Sequence, residues 1–128
     1  MVIVDLVVDT RVEDGYTVVT PRGEVDIATV DVFRGVLVEL FIQGRVDVLV
    51  DLDGTTFFDS LGFGALVAAR RKAQVFNGSL GIVCSNARML SLFEITGLDR
   101  VFNITSSVAA QPQVARTQRS DSPKRTGS

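Results

Sequence analysis

The chain alternates between two hydrophobic periods, and the switches between them mark its elements. Residues 2–8, VIVDLVV, are rich in β-branched side chains and predict a first strand. Glu13-Asp14-Gly15 predicts a turn, and YTVVTPRG after it a second strand pairing back antiparallel. Pro21 puts that strand near a sheet edge, or marks its end. From Thr29 the period lengthens. Val30, Phe33, Leu37, Leu40 and Phe41 make one helical stripe that ends by Gly44. Thr29 is the expected N-cap, with Asp31 in the favourable first turn.

VDVLVDL, residues 46–52, returns to a strand pattern and predicts a central strand. A second helix is expected from about Ser60 to the stop signal Asn77-Gly78, with Leu61, Ala65, Ala68, Ala69 and residues 72–75 facing the sheet. SLGIVC is a fourth strand. Ser85 or Asn86 then caps a third helix whose inner face is Met89, Leu92, Phe93 and Thr96, closed by Gly97. RVFNI at 100–104 is a fifth strand, and SSVAAQ suggests a short helix before Pro112. The order β-β-α-β-α-β-α-β predicts an α/β fold: a mixed, mostly parallel sheet of about five strands with right-handed crossovers and helices packed on it.

Length allows one domain, expected over residues 1–105. Residues 106–128 carry Arg116, Arg119, Lys124 and Arg125 against Asp121 alone, and read as a basic, disordered tail of net charge +3. The total is −2, so the body carries −5, which disfavours a nucleic-acid face. The apolar runs are too short to span a bilayer, and the first residues do not resemble a signal peptide. A cytoplasmic protein without a membrane partner is the expectation.

Two absences narrow the chemistry. No histidine is present, which removes Ser-His-Asp and Cys-His catalysis and imidazole metal sites. A lone cysteine, Cys84, excludes an intrachain disulfide and a thiolate zinc cluster, and reads as a small buried filler. GFGALV at 62–67 starts like a dinucleotide fingerprint but lacks the third glycine. Asp51, Asp53 and Asp59 lie near one strand end, yet nothing joins them to a nucleophile or base. Neither an enzyme, a metal site nor a cofactor is expected.

Ser60 stands apart because of its place, in LDGTTFFDSLGFGALV (52–67). It follows the carboxyl end of a strand, where open α/β sheets carry functional loops. It also opens a helix, whose N–H groups and positive dipole end favour an anion. A phosphate on its hydroxyl would be tolerated there; a plain capping serine is the other reading. Gly62 and Gly64 leave room for a partner's backbone, with Phe63 between them expected at the edge of the contact.

GEVD at 23–26, LDGTTFFDSLGFGALV at 52–67 and LSLFEITGLDRVF at 90–102 together resemble a STAS domain, specifically the bacterial anti-anti-sigma factors (anti-sigma factor antagonists). The likeness spans about residues 5–105. It implies a partner switch. The unmodified domain binds an anti-sigma factor with serine-kinase activity and frees the sigma factor; phosphorylation at Ser60 ends the complex, and a PP2C-type phosphatase restores it. It also implies a partner surface at Asp26, Asp59, Ser60, Leu61, Gly62, Phe63 and Gly64. Leu61 departs from the pattern, since many relatives have Ser or Thr there. The alternative is a STAS-type scaffold that binds a small ligand or nucleotide, with Ser60 only a helix cap.

Overall fold

The computed structural model describes residues 5–114. Elements follow in the order β1 (Leu6–Glu13), β2 (Tyr16–Val25), α1 (Val30–Ile42), β3 (Asp47–Asp51), β4 (Thr55–Phe58), α2 (Ser60–Val75), β5 (Ser79–Val83) and α3 (Ala87–Thr96), then a 3-10 turn at Leu98–Arg100 and a short β6 (Ile104–Thr105). The sheet runs β1-β2-β3-β5-β6, with β1 antiparallel to β2 and the other pairings parallel. This is the expected mixed, mostly parallel sheet.

Local chemistry explains each boundary. Asp14 and Gly15 both have positive φ, as a two-residue hairpin turn matched to strand twist requires, and Glu13 pairs with Tyr16 across it. The five apolar side chains of the α1 stripe are all buried. Asn86, rather than Ser85, caps α3 by accepting from the N–H groups of Arg88 and Met89 at 2.9 and 3.1 Å. On α3 Met89 and Phe93 are buried, whereas Thr96 is exposed and its hydroxyl turns back to Leu92 O at 2.8 Å.

β4 is an addition to the expected strands. It pairs parallel with β2 beyond the reach of β3: Val19↔Val50 ends one ladder and Gly23↔Thr55 begins the next. Pro21 lies in the interval between them, where β2 has no ladder partner on that side and a missing N–H is harmless. It is therefore buried in an internal strand, not at an edge. Its carbonyl accepts from Thr55 Oγ1 at 3.1 Å.

The helices cover one face of the sheet. Phe33, Phe58, Phe63, Phe93 and Phe102 form a chain of edge-to-face contacts through this layer, with ring centroids 5.0–6.1 Å apart. On the other face Tyr16, Val18, Leu49 and Val83 are covered by Val108 and Val114. Residues 106–114 make turns rather than the expected helix. They are packed down, although they follow the boundary drawn at 105: Tyr16 Oη donates to Pro112 O at 2.5 Å, and buried Gln111 Nε2 lies 2.9 Å from Ile82 O and 3.1 Å from Asn103 O. The remainder of the expected tail, 115–128, lies outside the described residues.

Candidate functional site

Strand register assembles the site. The β2–β4 ladder ends with Val25 beside Phe58, so Asp26 and Asp59 follow side by side at the carboxyl edge of the sheet. Asp59 N–H donates to Val25 O at 3.2 Å, tying the two strand ends together. Ser60 follows β4, not the central strand, because the short β4 intervenes.

Asp59 is the N-cap of α2. Its Oδ1 accepts from Leu61 N–H at 2.9 Å and Gly62 N–H at 3.3 Å, satisfying donors that the first helical turn leaves open. Ser60 is the first residue of the helix, is exposed, and its hydroxyl takes part in no hydrogen bond among the described residues. The capping role assigned to Ser60 in the ligand-scaffold alternative therefore belongs to its neighbour.

The Asp26 loop is equally well fixed. Asp26 Oδ1 accepts from Ala28 N–H at 2.9 Å, and its carbonyl accepts from Thr29 and Val30. Thr29 Oγ1 accepts from Asp26 N–H at 3.0 Å and donates to Glu24 O at 2.7 Å. Thus Thr29 stands at the N-cap position but braces the loop behind it instead of capping α1.

The other expected contact residues divide. Leu61 and Gly64 are exposed, with open space around a Cβ added at Gly64. Phe63 is not at the edge of a contact surface: it is buried between Phe58 and Phe93, at 5.0 and 5.1 Å. Gly62 is buried too. A Cβ there would sit 2.8 Å from the Phe58 ring, so this glycine lets the helix close onto β4 rather than admitting a partner. The buried face of α2 is Gly62, Phe63, Ala65, Leu66, Ala69 and Ala73, which turns Leu61 and Ala68, both expected inside, toward solvent. Phe58 and Phe63 thus anchor the backbone on both sides of Ser60.

One exposed residue escaped the sequence reading. Ile27, directly after Asp26, is 81% exposed and Leu61 39%. Both belong to loop or first-turn positions beside the two aspartates. The signal was present in VDIAT: Ile27 fits neither the strand period before it nor the helical stripe after it.

The remaining polar groups serve the structure. Asp51 Oδ1 accepts from Asp53 N–H at 3.0 Å, and Asp53 takes the N–H and hydroxyl of Ser85 at 2.7 and 3.1 Å. With Asp59 engaged on α2, the three aspartates are spent separately. No group of three or more His, Cys, Asp or Glu able to hold a metal occurs among the described residues. Burial pushes the Cys84 thiol up, with Asp53 and Asp51 adding to it and a backbone hydrogen bond at Asn86 opposing it. It is a protonated filler at neutral pH.

Known proteins share this architecture. A sequence profile of the STAS domain matches residues 7–111. The anti-sigma-B factor antagonist of Bacillus subtilis (strain 168) is 31% identical over 99 residues, covering 77% of this chain and 90% of that protein. A crystal structure of an anti-sigma factor antagonist from Mycobacterium paratuberculosis superposes with a TM-score of 0.73 at 23% identity, over 81% of this chain and 88% of that one. SpoIIAA, a Bacillus cell fate determinant solved in its phosphorylated form, superposes with a TM-score of 0.62 at 20% identity, over 82% and 95%. With the profile covering most of its length, this chain belongs to the STAS domain family.

Proposed function

We propose that this protein is an anti-sigma factor antagonist whose unphosphorylated form binds an anti-sigma factor with serine-kinase activity, and that phosphorylation of Ser60 ends the binding. Release of the sigma factor then makes it a positive regulator of transcription, and a PP2C-type phosphatase resets it. The observation that carries the reading is the unbonded, exposed Ser60 hydroxyl on a helix capped by Asp59. A kinase can take this hydroxyl without dismantling any contact.

The docking surface in this reading is Asp26, Asp59, Ser60, Leu61 and Gly64, extended by Ile27. Two exposed apolar side chains, Ile27 and Leu61, flank the two carboxylates and supply the apolar part of the contact. Phosphorylation adds about −1.5 to −2 charges at neutral pH. Toward an acidic side chain of the partner ~6 Å away, each unit charge contributes about 1.5–3 kcal/mol of repulsion at an effective dielectric of 20–40. Steric exclusion at the open Gly64 turn adds to it, so a loss of about 100-fold is expected without any change of fold.

The test uses tagged wild type and Ser60→Asp as baits in lysate of the native organism, with bound proteins identified by mass spectrometry. A kinase-fold anti-sigma factor held by wild type and lost with Ser60→Asp supports both partner and switch. The same kinase held equally by both removes Ser60 as the switch. Folded baits that hold no such kinase overturn the reading.

A further inference from the structure

β1 is an edge of the sheet. Among the described residues it pairs with β2 alone, along its whole length from Leu6↔Gly23 to Glu13↔Tyr16. Antiparallel ladders alternate: every second residue of β1 spends its N–H and C=O on β2, and the residues between point theirs outward. Asp5 O accepts from Glu24 N–H at 3.0 Å, and Glu13 closes the two-residue turn with Tyr16, which puts the odd-numbered residues on the β2 side. Leu6, Val8, Thr10 and Val12 therefore hold out their backbone groups. An unpaired row of this length is a template for a further strand. Val12, within that row, is 65% exposed. The opposite edge, β6, is only two residues long and offers no comparable row.

The side chains select which strand fits. A two-fold axis normal to the sheet keeps each face on its own side, so even-numbered residues meet even and odd meet odd. With Thr10 against Thr10 of a second copy on the axis, Val8 meets Val12 and Val12 meets Val8. This covers Val12 on the face where Val8 already packs against the core. On the other face Asp9 meets Arg11 on both sides of the axis, and Val7 lies against the aliphatic stem of Glu13. Arg22 already holds Asp9 at 2.8 Å, and Glu13 holds Arg11 at 3.1 Å, so the new pairs join them into a row of alternating sign. A register shifted by two residues either way sets Asp9 or Arg11 against itself. The strand is self-complementary in one register, which favours a second copy of the chain over an unrelated strand.

We propose that the chain forms a symmetric dimer through β1, its sheet continuing across a two-fold axis at Thr10. Because β6 is too short to receive β1, the contact closes at two copies and does not grow into a fibre. The parallel strands of the two copies run in opposite directions, so the two Ser60 surfaces open at opposite ends of the joined sheet. The proposal is independent of the Ser60 switch.

Sedimentation equilibrium of the full chain tests it, carried to ~0.5 mM because a single strand pair is a small, reversible interface. Wild type should pass from monomer to dimer with concentration, without larger species. Thr10→Pro removes an outward N–H and none that bonds to β2, so its melting temperature should stay within about 5 °C while the dimer weakens by about tenfold or more. Arg11→Asp and Asp9→Arg each set like charges opposite one another on both sides of the axis, and each should weaken self-association by about tenfold. Mixing these two variants restores opposite charges at both pairs and should recover the dimer as a heterodimer. Should Thr10→Pro not fold, the mixing experiment decides alone. A chain that stays monomeric over the whole range overturns the proposal. So does a dimer that a folded Thr10→Pro leaves intact, or a pair of charge variants that associate no better mixed than apart.

Discussion

Two glycines on the first turns of α2 answer to different constraints, and substitution separates them. A methyl group at Gly62 meets the Phe58 ring at 2.8 Å, whereas one at Gly64 meets nothing within 4 Å. Gly62→Ala should therefore destabilise by about 1–3 kcal/mol through overpacking. Gly64→Ala should be neutral or stabilise by up to about 1 kcal/mol, because alanine is the better helix former. Urea unfolding of the two variants checks the contrast, and equal effects would refute the division between packing and surface. The neighbouring pair divides in the same way. Asp59→Ala should cost about 1 kcal/mol as a lost cap. Ser60→Ala should leave stability within about 0.5 kcal/mol, as for a surface change away from any cap or core contact.

At the scale of elements, the segment 106–114 is part of the fold's stability. Gln111→Ala leaves the Ile82 and Asn103 carbonyls without its donor and should cost about 1–3 kcal/mol, measured as a shift of the urea midpoint. Burial raises the Tyr16 phenol, with Asp47 adding to it. The unfolded chain ionises first, so this contribution is intact below pH 10 and is lost as pH rises beyond it. Stability measured across that range should fall less steeply for Tyr16→Phe than for wild type. Much of the fold was legible in the sequence because α1 carries a strong period, as the buried stripe from Val30 to Phe41 illustrates, and the longer strands are rich in β-branched residues. β4 was not, since the four residues TTFF are too few to establish alternation and their pairing with β2 is nonlocal. The orientation of α2 was also misread. An alanine- and glycine-rich helix has apolar residues on several faces, and only packing against Phe58 decides which one is buried. Ser60 could be found from its neighbours in the motif. That Phe63 is structural, and that Ile27 flanks the site, required the tertiary arrangement.

Across the whole molecule, α2 links two ends of unlike character. Its first turn presents Ser60 and Leu61 beside the Asp26 loop; its last turns present Arg71, Lys72 and Val75. The aromatic chain from Phe33 to Phe102 joins α1, β4, α2, α3 and the segment before β6, which makes the Ser60 end a prebuilt surface rather than a loop that must order on binding. On this account modification changes affinity through charge and contact, with the fold unaltered. The most direct measurement is equilibrium binding of the purified kinase-type anti-sigma factor from the same organism to the unphosphorylated chain and to the chain phosphorylated on Ser60, with melting curves of both forms. The account predicts affinity weaker by about 100-fold for the phosphorylated form and equal melting temperatures. Equal affinities of the two forms would contradict it.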